Sequence, residues 1–469
     1  MTFTQPVVDI PRFLIEHWFK SVCGSWSAHD SQVNPYRRLT GSLWTTSVPI
    51  FYALQAISAA SLVERLPHVM RESARAAPRL ATEAIMKELH AFAMGQRPGF
   101  PSDLLLALFC MSSSLCWLEA RELGLQYVRQ ARSVLKFLNH QSWKLGPGDR
   151  QLLDFFNGCL IYEEMLRSVV SDEEVDFDNM LGLQDPLSSA PVIPATPHPW
   201  TGVSAAVLRL FGKAMTLCRR SRSRWRNNNW TSYRILQGAM KDIEEARSVE
   251  EALLAIEPDL TQVHITDQAR QVHLHDATEA YRLASLLQLY ETFPDLITKR
   301  LPPLAEADDS AVWDAWVSPL AFHITDVIER IPSGAMRCIQ TLICLCAGTG
   351  LRFATKVPMQ QGPYSYLMRT EPGTPDAAAA EPPSVGGTVD DLAPPPPAAS
   401  ENAVKTSRAR HAIMMRLDEL ELTLPPKPIG VAKQLLRAVW SAYDEEIDMA
   451  RRTHWLDVMS YTGLHSLFG

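Results

Sequence analysis

The chain has 469 residues, of which 46% are hydrophobic and 21% charged, an ordinary balance for a globular protein with a large core. Its formal net charge of -7 excludes a chain that wraps nucleic acid along its whole length, because such proteins carry a clustered positive excess. The N-terminus lacks the pattern of a signal peptide, and the most apolar stretch, 338–350, is shorter than a bilayer span of about 20 residues. We therefore expect an intracellular protein without a membrane segment, with 338–350 as a buried helix.

Apolar residues recur with the helical spacing i, i+3, i+4, i+7 at several places, and each set predicts one buried helix face. Strict alternation of apolar and polar residues over the length of a strand is hard to find. The sequence thus predicts an all-α fold, a multi-helix bundle of stacked helical hairpins. The residues that carry the pattern are Leu283, Leu286, Leu287, Tyr290, Ile324, Val327, Ile328, Ile331, Leu436, Val439, Trp440 and Tyr443.

Three segments interrupt the helical pattern. The segment 183–200 is rich in proline, which disfavours helix in the preceding residue, and 227–230 (NNNW) is a polar break. The segment 371–403 is rich in proline and alanine and has too few apolar side chains to offset the entropy of ordering, so we expect a disordered insertion. The predicted organisation is an N-terminal helical part (1–182), a linker (183–200), a central helical part (201–370), the insertion (371–403) and C-terminal helices (404–469).

Cysteine spacing argues against a metal cluster. A binuclear zinc cluster needs six thiolates in a short loop with C-x-x-C pairs, and this sequence has no C-x-x-C. The closest pairs, Cys110 with Cys116 and Cys344 with Cys346, lie in apolar runs where free cysteine behaves as a small hydrophobe. We therefore predict that these four cysteines lie in the core, and that all eight are reduced: Cys23, Cys110, Cys116, Cys159, Cys218, Cys338, Cys344 and Cys346.

Two charged runs each have a functional and a structural interpretation. The acidic-aromatic run 171–180 (SDEEVDFDNM) is either an activation segment that folds onto a coactivator groove or a solvated loop before the linker. The basic run 219–226 (RRSRSRWR) is either a nuclear localisation signal or phosphate-contacting patch, with Trp225 able to stack, or the solvated end of a helix. The structural interpretation is favoured for both runs.

Four residues suggest a metal site: His264, His273, His275 and Asp276. A His-x-His pair presents both rings on one side only in an extended segment, and here the spacing continues into a helix without a matching ligand set. We therefore favour surface or capping histidines.

The pair Asp308 and Asp309 is superficially similar to the acidic motif by which all-α terpene synthases hold magnesium diphosphate. That chemistry needs a third carboxylate one helical turn later, where this sequence has Val312. The two aspartates more readily start a helix, where they meet the positive end of its dipole. With no phosphate-binding loop or nucleophile elbow in the sequence either, we predict no enzyme and assign no catalytic, cofactor-binding or metal-binding residue.

Two tryptophans are predicted to dock their segments onto the bundle. A Pro-Trp pair that enters a helix can fix a linker by burying the indole, and the last segment presents a similar apolar group. Neither group pairs an acid, base or nucleophile. The residues are His198, Pro199, Trp200 and Gly202 in the first group, and Trp455, Val458 and Met459 in the second.

Several strings, in order along almost the whole chain, match one family pattern. The most specific are HPWTGVSAAVLRLFGKAMTLCRR (198–220) and AVWSAYDEEIDMARRTHWLDVMSYTGLHSLFG (438–469). On these residues the chain resembles the second of the fungal-specific transcription factor domain families. Weaker matches lie at 14–37, 47–62, 122–135, 155–172 and 277–296.

The resemblance implies an α-helical regulatory region of nuclear activators and repressors, many of which control metabolic or secondary-metabolite gene sets. In that family a separate N-terminal zinc cluster reads DNA, whereas this sequence shows no cysteine-rich module. We therefore expect a nuclear regulator that acts through other transcription factors or coregulators, with DNA contacted indirectly. A small-molecule effector and a homo- or heterodimer are compatible with the resemblance, and a zinc-cluster exon upstream of Met1 stays open.

Two rival functions come from other classes. The first is a helical scaffold or adaptor that works outside the nucleus. The second is an all-α metal-dependent enzyme, which predicts an activity that depends on Asp308 or Asp309.

Overall fold

The protein is an assembly of packed helices. The computed structural model describes residues 9–28, 30, 34–181, 197–227, 232–256, 268–298, 309–353, 401–446 and 453–469. Within these ranges the chain forms helices joined by turns and loops, with no strand, so the predicted all-α fold is confirmed. Of the helices in these ranges, none combines the length and the apolar character that crossing a bilayer requires.

Among the described residues up to 181, the chain forms eight α-helices. Neighbours in sequence are neighbours in space, since α4 packs on α5 and α6, and α7 packs on α6 and α8. This arrangement is the stacking of hairpins that the sequence predicts. The elements are α1 (Ile10–His17), a π-helical turn (Trp18–Val22), α2 (Cys23–Trp26), α3 (Pro35–Leu43), α4 (Val48–Leu62), α5 (Pro67–Ala93), α6 (Ser102–Leu118), α7 (Leu125–His140), a 3-10 turn (Ser142–Lys144) and α8 (Pro147–Val170).

The remaining helices complete the bundle. Helix α9 packs on α8, α10 and α11, while α14 lies among α11, α13, α15 and α16. The elements are α9 (Ala205–Asn227), α10 (Tyr233–Ala255), α11 (Gln268–Thr292), α12 (Asp295–Thr298), α13 (Asp309–Arg330), α14 (Arg337–Thr349), α15 (Glu401–Glu421), α16 (Pro426–Asp444) and α17 (Trp455–Thr462).

Local sequence explains where several helices begin. The Asp9 carboxylate accepts a hydrogen bond from the Arg12 amide at the start of α1, and the Asn34 side chain accepts one from Tyr36 at the start of α3. Each cap satisfies an amide that has no partner inside the helix. A proline follows at the first or second position of both helices, where its missing N–H costs nothing.

One continuous hydrophobic core runs through the described residues, from Ile15 to Phe468. All twelve residues predicted from helical spacing on α11, α13 and α16, including Ile331 just past α13, are buried. The predicted core helix at 338–350 is also confirmed, because every residue of α14 from Cys338 to Thr349 is buried. All eight cysteines are free and buried, which confirms the predicted core positions of Cys110, Cys116, Cys344 and Cys346.

Trp200 fixes the end of the predicted linker onto the bundle. Its side chain is 1% exposed, and its ring lies 4.9 Å from that of Trp26, 5.3 Å from Tyr36 and 4.8 Å from Tyr162. The indole Nε1 donates to the Trp26 carbonyl at 2.6 Å, and the Trp200 carbonyl accepts from the Ala28 amide. The predicted docking by a buried indole is therefore confirmed.

The C-terminal helix is docked in the same way. Trp455 is fully buried and its Nε1 donates to Gln288 Oε1 at 2.6 Å, while Met459 is buried and Val458 partly buried against the core. The predicted docking contacts are confirmed. The chain then leaves the helix and buries residues 467–468 in the core.

Part of the predicted interruptions lies outside the described residues. This applies to 183–196 of the linker, to 228–230 of the polar break and to 371–400 of the insertion. The last three residues of 371–403 are described, and they form the first residues of α15 rather than a disordered segment. The predicted boundary at 403 is therefore three residues too late, because the polar, charged start of α15 carries little apolar signal.

Candidate functional site

The arginine-rich run 219–226 occupies the C-terminal end of α9, where it faces α10 and α17. Arg220 and Arg224 converge on Asp242 of α10, and Arg220 Nη2 lies 2.8 Å from Asp242 Oδ1. Arg220 also pairs with Glu245 one turn along the same helix. Because the Asp242 side chain is only 2% exposed, these pairs lie at the helix–helix interface and not in solvent.

Two further arginines join α9 to the C-terminal helix. Arg222 and Arg226 both pair with Asp457 in the first turn of α17, with Arg226 Nη1 2.8 Å from Asp457 Oδ1. Arg226 also donates to the Ser460 hydroxyl at 3.2 Å. A carboxylate in the first turn of a helix is itself stabilised by the helix dipole. Asp457 is thus stabilised both by the two arginines of α9 and by the dipole of α17.

The fifth arginine of the run points back towards α8. Arg219 donates to the Val169 carbonyl at 3.1 Å and pairs with Asp172 just after α8. Burial lowers the pKa of the Arg219 guanidinium, and Asp172 partly opposes this effect. The run is the end of a helix, as the favoured interpretation predicts. All five of its arginines are engaged by carboxylates of this chain and most are only partly exposed, so the solvated part of that interpretation is wrong. The error arose because the partners lie far away in the sequence.

The acidic-aromatic run 171–180 packs onto the middle of α9. The run is a loop whose acidic side chains are mostly exposed, as predicted, but Val175, Phe177 and Met180 are buried in the core, so it is solvated on one side only. The Phe177 carbonyl accepts from Arg209 Nε at 3.0 Å, and Asp178 pairs with Lys213 at 2.6 Å. The apolar residues of the run therefore pack on α9, and its acidic residues neutralise basic side chains of that helix.

A glycine in α9 makes this packing geometrically feasible. The Phe177 ring lies so close to Gly212 that a Cβ at that position would stand 2.2 Å from Phe177 Cζ. Any larger residue would displace the ring from its site. The pairing of Gly212 with Phe177 is the sequence signal that could have placed this run on α9.

A buried polar network joins α11, α14 and α17. Gln288 accepts from the Trp455 indole, donates through Nε2 to Thr349 Oγ1 at 3.1 Å, and lies one turn before Glu291. Thr349 Oγ1 stands 3.3 Å from both carboxylate oxygens of Glu291. Sequence reasoning missed this network, although a polar residue at i and another at i+3 on an otherwise apolar face indicated it.

The surroundings of Glu291, the acidic residue of this network, shift its pKa. Burial raises the pKa of the Glu291 carboxyl to about 8, against the opposing effects of nearby Arg352 and of Thr349. Arg352 itself pairs with Glu446 at 2.6 Å and lies over the Tyr443 ring. Glu291 therefore remains protonated at neutral pH, as a hydrogen-bonding group of the core.

The residues considered for metal binding do not converge. His273 and His275 lie on α11 and Asp276 is buried, paired with Arg330 of α13 at 2.9 Å. His264 and Asp308 lie outside the described residues, and Asp309 is the first residue of α13. In the described part of the chain, no group of three His, Cys, Asp or Glu side chains could hold a metal ion.

The cysteines have the environment of structural thiols. Burial raises the pKa of Cys116, Cys218 and Cys344 to about 12. A thiol that stays protonated is a poor nucleophile and a poor metal ligand. These side chains contribute packing.

Cavities of two kinds are present. A space of about 30 Å³, lined by Trp26, Trp117 and Phe468 among others, lies inside the bundle and is the size of about one water molecule. An open groove of about 540 Å³ runs between the acidic run, α9 and α10. Its volume matches that of small-molecule sites, but its lining is rich in charged side chains such as Asp176, Lys213 and Glu245.

The comparison with known protein families agrees with this architecture. The family model described as the fungal specific transcription factor domain matches residues 12–352, well over half of the chain. The chain belongs to this family, and a role in transcriptional regulation follows from membership. No curated protein and no solved structure gives a significant match.

Proposed function

We propose that this protein is a nuclear transcriptional regulator of a metabolic or secondary-metabolite gene set, and that its helical domain acts through contact with another transcription factor or coregulator. Family membership supports the regulatory role and makes a catalytic one unnecessary. The gene set and the nuclear location are what the family resemblance implies.

One structural observation carries the mechanism. The basic run 219–226 is, by sequence, a candidate phosphate-contacting patch. Its five arginines pair with carboxylates on α10, on α17 and after α8. Presenting those guanidinium groups to DNA would require the loss of several interhelical pairs at once. The helical domain is therefore better suited to reach promoters through a partner protein.

Chromatin immunoprecipitation of the tagged full chain tests this proposal. We expect promoter occupancy that is lost when a zinc-cluster partner factor is removed, and changed transcript levels of the occupied genes. Occupancy that persists without any partner would contradict the indirect mechanism. Steady exclusion of the tagged protein from the nucleus would contradict the regulatory proposal and favour an adaptor.

A further inference from the structure

A row of exposed arginines follows the outer face of α5. Arg71, Arg75 and Arg79 stand four residues apart, so successive side chains are about 6 Å apart along one face of the helix. All three are exposed, with 73% of the Arg79 side chain open to solvent. We call these three residues the arginine row.

The arginine row stands on a firmly packed helix. The inner face of α5 buries Met70, Ala74, Ala77, Ala81 and Ile85, and α5 makes its main contact with α4. Small alanine side chains allow the two helices to approach closely. The arginines therefore stand on a helix that is packed along its inner face, with Pro78, which lies between Arg75 and Arg79, removing one helix hydrogen bond.

The charges of the arginine row are largely uncompensated. Arg79 approaches Glu83 at 3.9 Å with both side chains mostly in water, which makes a weak pair. Within the described part of the chain, Arg71 and Arg75 form no ion pair. A local positive surface on a chain of net charge -7 is a site for an acidic partner.

A shallow, nearly flat depression between side chains of α5 accompanies the row. It has a volume of about 480 Å³ and is lined by His68, Arg71, Glu72, Arg75, Ala76 and Arg79. Seven residues beyond Arg79, on the same face, Met86 is 54% exposed. The surface thus continues from positive charge to an exposed apolar side chain.

We propose that the arginine row and Met86 form the docking surface for an acidic amphipathic helix of a partner protein. Carboxylates spaced four residues apart on such a helix match the spacing of the row, and an apolar residue beyond them contacts Met86. The proposal rests on the proposed function only in taking the partner to be a protein.

Two features favour a protein helix over duplex DNA. Glu72 lies among the arginines and Glu83 beside Arg79. A partner helix can place uncharged residues opposite these two carboxylates, whereas a duplex presents a phosphate at every step. Met86 offers nothing to a phosphate but packs well against an apolar side chain. A surface that combines charged and apolar side chains in this way is bound best by a partner that also carries both.

Binding of two labelled probes to the purified full chain tests the proposal by fluorescence anisotropy. The probes are a helical peptide with Glu at four-residue spacing flanked by Leu and Phe, and a DNA duplex of unrelated sequence. We expect the peptide to bind, and the triple variant Arg71→Glu, Arg75→Glu, Arg79→Glu to weaken binding by about tenfold or more, since three attractive contacts become repulsive.

A matched control carries the same charge change elsewhere. Arg38, Arg234 and Arg437 are also exposed, and Arg38→Glu, Arg234→Glu, Arg437→Glu should leave peptide affinity within about twofold of wild type, because these sites are separate from the row. Met86→Ser should weaken the peptide by about threefold, from lost apolar contact, at any salt concentration. Circular dichroism checks that each variant keeps its helices.

Three results would overturn the proposal. The first is no binding of the peptide to the wild-type chain, and the second is equal weakening by both triple variants. The third is tight DNA binding that falls with salt with a log–log slope of about -3 and is lost in the row variant, which would make the row a phosphate contact. Each can occur while the wild-type protein still occupies promoters, so the docking surface and the regulatory proposal fail separately.

Discussion

Arginine serves two purposes in this protein, and the regions α9 and α5 show the contrast. In 219–226 the arginines are crowded in sequence, so they point to several sides of α9 and meet carboxylates on different neighbours. On α5 they recur every fourth residue, so they share one outer face and meet water. Spacing alone does not decide which arginines face solvent, since Arg220 with Arg224 and Arg222 with Arg226 are also four residues apart. What decides it is whether a neighbouring helix brings a carboxylate to that face.

The sharpest way to break this contrast is to remove the shared partner on α10. Asp242→Asn keeps the shape of the side chain but removes the charge that Arg220 and Arg224 approach in a buried position. We expect the free energy of unfolding to fall by about 3 kcal/mol, because a guanidinium loses its buried counter-charge. Urea denaturation measures the change.

The matched control is Glu83→Gln beside the arginine row, where both side chains are mostly exposed. It should change the free energy of unfolding by less than about 0.5 kcal/mol. If the two substitutions lower the free energy of unfolding equally, the ion pairs of α9 contribute no more to stability than those of α5.

Glu291 is a buried acid without a full counter-charge, and the pH dependence of the free energy of unfolding measures how much that burial costs. The pKa of Glu291 is raised to about 8, above the unfolded value of 4.5, so the folded chain keeps a proton that the unfolded chain loses between these values. The stability of the wild-type chain therefore falls as pH rises through this window. In Glu291→Gln that fall is absent, and we expect the variant to gain roughly 3 to 4 kcal/mol over wild type between pH 5 and pH 8.

Denaturation at pH 5, 6.5 and 8 measures this difference. A constant difference between variant and wild type across the three values would show that Glu291 titrates normally. Glu446→Gln, at the other side of Arg352, is the control for charge removal near the same guanidinium.

A smaller effect is expected where α9 meets α17. Asp457→Asn weakens the pairs with Arg222 and Arg226 at a partly exposed position, and we expect a loss of about 1 kcal/mol. Hydrogen exchange should quicken in 455–462 and stay unchanged in α10. Ser460→Ala, which removes the contacts of the hydroxyl with Arg226 and with the Leu456 carbonyl but leaves both pairs of Asp457, should have a weaker effect in the same measurement.

The smallest effect is expected from the arginine row itself. Arg71→Ala, Arg75→Ala and Arg79→Ala together should leave the free energy of unfolding within about 0.5 kcal/mol of wild type, because surface side chains of this kind contribute little. A loss as large as that in Asp242→Asn would show that the row has structural partners and is not a free binding surface.

Helical periodicity predicted the fold well because burial of one helix face depends only on local spacing. Ile324, Val327 and Ile328 show this on α13, and the burial of Trp200 and Trp455 followed from their size and position. The roles of charged residues were harder to predict. Arg222 meets a carboxylate 235 positions later, a pairing that no local pattern encodes.

The acidic run shows the same limit. Its composition indicated a solvated segment, yet Phe177 is buried because Gly212 leaves a hollow on α9 that suits an aromatic ring. The arginine row, in contrast, was accessible to sequence reasoning, since i, i+4 spacing alone predicts a shared face. The row was nevertheless not predicted from the sequence, because three other residues separate each arginine from the next and no cluster of charge appears.

The separation of Arg222 from Asp457 also has a consequence during synthesis. Asp242 follows within about one helix of α9, so the pairs with α10 can form early, but Asp457 appears 235 residues after Arg222. At ribosomal rates of about 5 to 20 residues per second, Arg222 and Arg226 spend roughly 10 to 50 s without that carboxylate. Until α17 is made, the nascent chain therefore carries two arginines at the end of α9 whose carboxylate partner does not yet exist.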